Sequence, residues 1–208
     1  MLTVALTGGI ATGKSIVGGV LLRRGCTVDK SDDVARSLLA PGQPAWTRVV
    51  ERFGPGILDP GRAIDRKKLG ALIFSDAKAR RFVDGIVHPL VMAAKKEAIG
   101  RLDREGRVRI FVSEAALTIE AGFSEYFDKV VVVYCPEEIQ TERLMARDGL
   151  TREDAGRRIV SQMPGGEKLA FADYVVDTSG TLEETVDQSE ELFEELLLDW
   201  RIKSGSAG

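Results

Sequence analysis

The sequence predicts an α/β fold with a mainly parallel sheet, and three observations support this prediction. Short apolar runs rich in β-branched residues alternate with longer stretches whose apolar residues recur at helical spacing. Such alternation is typical of a parallel sheet covered by helices. The run 129–135 is almost continuously apolar, as expected for a strand buried on both faces. The first run ends in a glycine-rich turn that leads directly into a helical pattern.

Five strands and the helices between them are predicted in chain order. The strands are expected over 2–6, 26–28, 108–112, 129–135 and 174–176. Helical patterns are found over 16–22, over 34–39, over 45–100 with breaks, from Pro136 to Arg147, from Thr151 onward, and over 182–200. In the last of these, the apolar residues from Leu182 to Trp200 are expected to form one buried stripe and the acidic residues a solvated face. The stretch 45–100 is too long for a simple crossover between the second and third strands. We therefore expect a separate lobe over the carboxyl edge of the sheet, where ligands bind in such folds. Within this lobe, His88-Pro89 is expected to start a new helix.

The residues from Gly8 to Ser15 fit the phosphate-loop pattern G-x-x-x-x-G-K-[ST]. They lie between the first strand and the first helix, where backbone N–H groups and a helix N-terminus converge on a polyphosphate. Lys14 is expected to reach the β- and γ-phosphates of a nucleoside triphosphate, and the Ser15 hydroxyl to ligate Mg²⁺. The residues expected to contact the nucleotide are Gly9, Ala11, Thr12, Gly13, Lys14, Ser15 and Ile16. The alternative is a glycine-rich turn that binds nothing.

The composition limits the other classes of function. The chain of 208 residues is long enough for a substantial core, and its formal net charge of −3 provides no general basic field, which argues against bulk nucleic-acid binding. Cys26 and Cys135 lie in or beside apolar runs without metal-ligand spacing, so we expect buried, reduced thiols. No apolar run approaches the length of a membrane span, and the first strand begins directly at the N-terminus. A cytoplasmic location is the resulting expectation.

Arginines accumulate late in the sequence: Arg143, Arg147, Arg152, Arg157 and Arg158. Small phosphotransferases use mobile cations to neutralise the migrating phosphoryl group and a lid to exclude water. Arg143 and Arg147 are four residues apart and are expected to project from one helical face. The alternative for these two is an exposed arginine paired with a glutamate of the same helix, namely Glu137, Glu138 or Glu142.

Three carboxylates follow predicted strand ends and are expected to face the phosphate loop: Asp32, Asp33 and Glu114. A kinase uses a carboxylate near the acceptor hydroxyl to orient it and take its proton, or to hold Mg²⁺ through water. Asp32 is the first candidate for the base and Glu114 the second carboxylate. The alternative for either is a helix cap or a turn carboxylate. His88, the single histidine, is expected either to cap a helix or to contact the substrate.

Several further groups of residues complete a pattern that runs almost end to end. They are Leu6-Thr7-Gly8-Gly9-Ile10, Gly13-Lys14-Ser15, Asp32 with Ala35-Arg36, Pro41-Gly42, Asp65-Arg66-Lys67-Lys68-Leu69 with Phe74, His88-Pro89, Leu117, Glu120, Gly122, Arg143, Arg147-Asp148, Arg158-Ile159 with Gln162, Lys168, Ala172-Asp173-Tyr174-Val175-Val176-Asp177 and Gly180. This pattern resembles the dephospho-CoA kinase family, P-loop kinases that use ATP to phosphorylate the ribose 3′-hydroxyl of dephospho-CoA.

The resemblance implies a P-loop NTPase three-layer fold with a five-stranded parallel sheet. It implies one domain over 1–204 in three parts: a nucleotide-binding core at about 1–40, 107–140 and 170–203, a helical CoA-binding lobe at about 41–106, and a lid at about 141–169. Residues 205–208 are expected to be a disordered tail. The implied ligands are ATP, Mg²⁺ and dephospho-CoA, with no nucleic acid and no membrane, and the implied oligomeric state is a monomer or a weak homo-oligomer.

The resemblance also implies roles for individual residues. Asp32 matches the second Asp of a D-x-D pattern beside the acceptor hydroxyl, and Lys14 and Arg143 are the other implied catalytic residues. Arg147 is implied to lie near the nucleotide phosphates. Arg66 and His88 are implied to belong to the acceptor-side lobe, and Glu114, from its place after a predicted strand, is expected to contact the acceptor.

Three stretches depart from the family pattern. Lys30 replaces the first Asp of the D-x-D pattern, Ser113-Glu114-Ala115-Ala116-Leu117-Thr118 replaces a stretch that more often has Asp and Pro before two leucines, and Thr178 replaces a frequent Asn. Lys30 either contacts phosphate or leaves the base role wholly to Asp32. Two other functions stay open at this point: another small-molecule or nucleotide kinase, and a non-catalytic ATP-binding paralogue.

Overall fold

The computed structural model describes residues 1–205, with the exception of the Phe74 side chain. Its five strands are β1 Leu2–Thr7, β2 Thr27–Lys30, β3 Ile110–Glu114, β4 Lys129–Tyr134 and β5 Tyr174–Asp177. They form one sheet in the order β2-β3-β1-β4-β5, and every neighbouring pair is parallel. The predicted α/β class and the five-stranded parallel sheet are therefore confirmed. Each predicted strand lies within two residues of its observed place.

In the described residues, α-helices follow every strand except β3, which is joined to β4 by a segment without an α-helix. The helices are α1 Lys14–Arg23, α2 Ser31–Leu38, α3 Pro44–Phe53, α4 Arg66–Ser75, α5 Ala77–Glu105, α6 Glu137–Asp148, α7 Arg152–Ile159, α8 Gly165–Lys168 and α9 Leu182–Lys203. Ser204 and Gly205 form a turn after α9. The rest of the predicted disordered tail, 206–208, lies outside the described residues.

The chain divides into two compact units, Met1–Lys30 with Leu102–Gly208 and Ser31–Arg101. In the first unit, alternate residues of the strands pack on opposite faces of the sheet. Val4 and Leu6 of β1 join a cluster with α1 and α9, whereas Ala5 joins Val130 and Val132 in a cluster on the other face. Because β1 lies between β3 and β4, the loop that follows β1 emerges at the centre of the carboxyl edge of the sheet.

The second unit is a helical lobe with its own apolar core. Eight buried residues form this core: Ala45, Val49, Ile57, Leu69, Val83, Ile86, Val87 and Val91. Half-buried residues of α2, including Val34 and Leu38, pack against it. The lobe therefore buries the apolar stripes that the sequence shows between 34 and 91.

The prediction that His88-Pro89 starts a new helix is wrong. Helix α5 runs without interruption from Ala77 to Glu105, and Pro89 lies inside it. An interior proline removes one N–H donor and its ring meets the carbonyl four residues earlier, at a cost of about 3 kcal/mol. Buried Ile86 and Val87 before Pro89, and Val91 after it, hold both sides of the helix on the lobe core. Packing outweighs the local preference.

Two other expectations need smaller corrections. Helix α2 begins at Ser31, three residues earlier than predicted, so that Asp32 and Asp33 lie in its first turn. Leu182, expected in the apolar stripe of the last helix, is exposed, whereas Leu192, Phe193 and Leu196 are buried. Cys26 and Cys135 are buried free thiols, as predicted. In the described residues, no helix is long and apolar enough to span a membrane.

Candidate active site

The phosphate loop connects β1 to α1 and depends on glycine at its first position. Gly8 has φ +148°, and a Cβ there would lie 2.2 Å from the carbonyl oxygen of Val133 on β4. Ala11 and Gly13 also have positive φ, of 60° and 92°. Left-handed residues in a tight turn direct successive N–H groups to one side of the chain, which makes a concavity suited to anions. The loop therefore has the shape that its sequence pattern predicts.

Lys14 is the first residue of α1, and its side chain lies over the loop. Its Nζ donates hydrogen bonds to the carbonyl oxygens of Gly8, at 2.9 Å, and Gly9, at 2.7 Å. The Thr12 hydroxyl donates to the same Gly9 oxygen at 2.9 Å. The ammonium group is thus held at the mouth of the loop, where it can meet a phosphate.

Arg143 of α6 lies at the back of the phosphate loop. Its guanidinium donates to the Thr178 hydroxyl at 3.1 Å, to the Thr178 carbonyl at 2.6 Å and to the Ala11 carbonyl at 3.5 Å. The Thr178 hydroxyl in turn donates to the Thr12 carbonyl at 2.7 Å. Because both of its terminal nitrogens donate to Thr178, the planar guanidinium has little freedom to rotate. Of the alternatives open from the sequence, Arg143 does not pair with a glutamate of its own helix.

The segment after α6 packs on the outer side of the loop. Ile10 and Ala11 contact a small cluster formed by buried Leu144, Ala155 and Ile159. The Ile10 N–H also donates to Gln162 Oε1 at 2.7 Å. The predicted lid region therefore touches the loop through apolar packing and one directed hydrogen bond.

An ion pair between buried Lys168 and Glu120 anchors the far end of this segment. Lys168 has 0% relative exposure, and its Nζ donates to Glu120 Oε1 at 2.7 Å and to the Ala116 carbonyl at 2.8 Å. The same Glu120 oxygen accepts from the Met163 N–H at 3.2 Å. A buried charge is tolerated when it is paired and hydrogen-bonded in this way. The segment 163–168 is thereby tied to the chain that follows β3.

Arg147 differs sharply from Arg143. Its side chain is 58% exposed and forms a two-pronged pair with Asp148, the next residue. The hydrogen bond from Arg147 lowers the pKa of the Asp148 carboxyl. Arg158 pairs with Asp148 as well, and the remaining late arginines form exposed pairs, Arg152 with Glu138 and Arg157 with Glu153.

Glu114 ends β3 and pairs in register with Leu6 of β1, two residues before the loop. Lys30 at the end of β2 pairs in register with Glu114 on its other side. Ser15 lies in the first turn of α1 and is exposed. A serine hydroxyl and a carboxylate are hard oxygen donors of the kind that Mg²⁺ prefers, together with phosphate oxygens. These residue types fit a magnesium-bound nucleotide.

Three of the predicted site residues belong to the second unit. Asp32 is exposed in the first turn of α2, and Arg66 is the first residue of α4, whose Asp65 cap accepts from two backbone N–H groups. His88 lies in α5, with Nε2 3.8 Å from Asp84 Oδ1. Burial raises the pKa of the Asp84 carboxyl, and the charges of His88 and Arg80 oppose that effect.

Sequence reasoning assigned no role to Thr178, Gln162 or the Lys168–Glu120 pair. Gln162, Lys168 and Glu120 were visible only as matches to a family pattern, and Thr178 only as a departure from one. The family pattern marks Lys168 and Glu120 as separate positions, but it does not show that these two residues form a pair. The fold brings Thr178 to the loop because β5 ends beside β4, next to the loop strand.

The fold and the loop together define the class: a P-loop kinase, with a parallel sheet, a glycine turn and a cation-bearing segment over it. The family model described as dephospho-CoA kinase matches residues 2–184. The chain belongs to the dephospho-CoA kinase family, the kinases of the last step of coenzyme A biosynthesis.

Individual relatives agree with this assignment. The chain is 45% identical over 190 residues to the dephospho-CoA kinase of Geobacter sulfurreducens, covering 91% of this chain and 96% of that one. It is 43% identical over 187 residues to that of Geobacillus kaustophilus, covering 88% and 91%. Among solved structures, the dephospho-CoA kinase from Campylobacter jejuni superposes with a TM-score of 0.70 at 27% identity, covering 95% of this chain and 98% of that one.

Proposed function

We propose that this kinase transfers the γ-phosphoryl group of ATP to the ribose 3′-hydroxyl of dephospho-CoA, giving CoA and ADP. The observation that carries the proposal is the family match over residues 2–184. An intact phosphate loop, with Lys14 held over Gly8 and Gly9, supports it. The first alternative, another small-molecule kinase, is not favoured by relatives that are 40–45% identical over most of the chain.

The loop residues from Gly9 to Ile16 would hold the β- and γ-phosphates through backbone N–H groups and the N-terminus of α1. Lys14 would stay close to the phosphoryl group as it moves, because charge on its oxygens persists through the transition state. Arg143 supports the loop from behind through Thr178 and the Ala11 carbonyl. In this role, Arg143 would keep its own positive charge and the loop backbone in one fixed arrangement. Arg147, exposed on the surface of α6, would contact the nucleotide phosphates after leaving Asp148.

Magnesium would be held by the Ser15 hydroxyl and the nucleotide phosphates, where it would neutralise phosphate charge. Asp32 would orient the acceptor hydroxyl and accept its proton, with Glu114 as the second carboxylate. Arg66 and His88 would contact the acceptor. We further propose a monomer or weak homo-oligomer in the cytoplasm, a reducing compartment that suits the two buried free thiols.

Replacing Asp32 by Asn tests the base. We expect turnover to fall by about 10²-fold or more while the affinity for ATP changes little, because an amide orients the hydroxyl but takes no proton. The measurement is kcat and KM for both substrates, with Asp33→Asn as a matched control, since Asp33 pairs with Arg36 in the same helical turn. Unchanged turnover in Asp32→Asn would transfer the base role to Glu114.

The function itself is tested by ADP release from ATP and Mg²⁺, with and without dephospho-CoA. We expect acceptor-dependent ADP formation and a product that is heavier by one phosphate. ATP binding without acceptor-dependent release would contradict the proposal and favour the non-catalytic paralogue. Phosphorylation of shikimate, gluconate or a nucleoside monophosphate in preference to dephospho-CoA would favour another kinase.

A further inference from the structure

Helix α1 has a glycine, Gly18, in its middle. Gly18 is buried, and glycine is the poorest helix former after proline. Its φ is not positive, so the backbone does not require glycine there. Its neighbour Gly19 is half-buried in the same helix. The absence of a side chain at position 18 is therefore explained by the atoms that surround it.

That space is occupied by the Glu114 carboxylate. A Cβ built on Gly18 would lie 2.9 Å from Glu114 Oε2 and 3.8 Å from Glu114 Cδ, with Leu6 Cδ2 at 3.5 Å. The first distance is shorter than a carbon–oxygen contact allows. The Glu114 Oε2 atom is shielded from solvent. An alanine at position 18 would therefore displace the carboxylate, which is the free end of a flexible side chain.

The position of this carboxylate relates it directly to the loop. Glu114 stands beside Leu6 on the strand that leads into the loop. Gly18 lies four residues after Lys14, on the same side of α1. The carboxylate thus occupies the space between the loop strand and the loop helix, one helical turn behind Lys14. A shift of about 1 Å in a group one helical turn from Lys14 can change turnover by up to about 10²-fold.

We propose that Gly18 is a positioning residue that sets where the Glu114 carboxylate lies behind the phosphate loop. Gly18 and Glu114 form a pair matched in size, because the glutamate side chain fits only where position 18 has no side chain. An aspartate at 114 is shorter by one methylene group and leaves room for a Cβ at position 18. The inference rests on the proposed function for its kinetic readout and on geometry for its binding readout.

Four variants test the pair: Gly18→Ala, Glu114→Asp, the double variant, and Gly19→Ala. Gly19→Ala is a matched control, because a Cβ there meets only Arg23 Nη1, at 3.8 Å. Three quantities are measured: the affinity for ADP with Mg²⁺ by calorimetry, the Mg²⁺ concentration at half-maximal rate, and kcat with dephospho-CoA.

We expect Gly18→Ala to lower kcat by about tenfold or more, and to raise several-fold both the half-maximal Mg²⁺ concentration and the dissociation constant for ADP with Mg²⁺. Gly19→Ala should stay within about twofold of the unmodified protein, and the double variant within about twofold of Glu114→Asp. The proposal is overturned if Gly18→Ala matches Gly19→Ala, or if the two losses multiply in the double variant. If Gly18→Ala does not fold, the comparison of Glu114→Asp with the double variant still decides.

The two proposals fail separately. Without acceptor-dependent turnover in the unmodified protein, the proposed function fails, and the calorimetric comparison of the same four variants still tests the Gly18–Glu114 pair. If the unmodified protein is active with dephospho-CoA and neither Gly18→Ala nor Gly19→Ala changes its turnover, only the proposal about Gly18 and Glu114 is overturned.

Discussion

Arg143 and Arg147 lie one turn apart on the same helix, yet the structure surrounds them very differently. Arg143 makes hydrogen bonds to Thr178 and to the Ala11 carbonyl, and its Nη1 lies 3.6 Å from the Sγ of buried Cys135. Arg147 is 58% exposed and pairs with its neighbour Asp148. The first arginine is part of the loop's support, whereas the second is free to change partner at little cost, because an exposed ion pair contributes little.

The same contrast separates the phosphate loop from the exposed surface of the predicted lid, 141–169. Loop residues are held by backbone carbonyls, by Thr178 and by Gln162, whereas the α7 arginines form exposed pairs with nearby carboxylates. Rigid support suits a group that must stabilise charge without moving, and loose support suits one that must follow the nucleotide. Four predictions, in decreasing order of effect, test this contrast.

Lys14→Ala should abolish turnover almost completely, by about 10³-fold or more, because no other cation is held over Gly8 and Gly9 in the described loop. The thermal unfolding midpoint should change little. Lys78→Ala, at an exposed position of the helical lobe, serves as the control. Substantial acceptor-dependent turnover in Lys14→Ala would refute the assignment of the loop.

Arg143→Ala should lower kcat by about 10²-fold, since it removes a cation and leaves the Thr178 and Ala11 carbonyls without their guanidinium donors. Arg143→Lys should recover only part of the loss, because an ammonium group cannot bridge the same two-pronged arrangement. Steady-state kinetics of the three proteins provide the check. Full recovery with lysine would reduce the role of Arg143 to charge alone.

Thr178→Val should lower kcat by about tenfold, because it removes the hydroxyl that links Arg143 to Thr12 while keeping the side-chain volume. Thr178→Ser retains the hydroxyl and should stay close to the unmodified protein. Adding Thr178→Val to Arg143→Ala should cost little more, since both act through one network. Multiplying losses in that double variant would separate the two residues.

Arg147→Ala should have the smallest of these effects, a rise of several-fold in KM for ATP with little change in kcat, because its proposed contact with the nucleotide phosphates is made from the surface and serves binding alone. Arg157→Ala, another exposed arginine in surface pairs, should stay within about twofold in both constants. The decisive comparison is Arg147→Ala with Arg143→Ala. An equal or larger loss of kcat in Arg147→Ala would contradict the assignment of Arg143, and not Arg147, as the arginine that supports the loop.

The order of strands and helices and the position of the phosphate loop were predictable from local signals. Apolar runs, helical periodicity and the G-x-x-x-x-G-K-S spacing are properties of neighbouring residues, and each survived in the structure. Pro89 shows where local signals fail. Its effect on a helix is set by packing on both sides, and that packing involves residues of α2, α3 and α4 distant in sequence.

The sequence by itself determined the α/β class, the phosphate loop and the family, because these depend on periodicity and on residue spacing along the chain. Only the tertiary structure decided which arginine supports the loop, that Thr178 and Gln162 reach it, and that Gly18 makes room for Glu114. Those relations join residues as far as 166 positions apart, as between Thr12 and Thr178. They exist only once parallel strands have brought their carboxyl ends to one edge of the sheet.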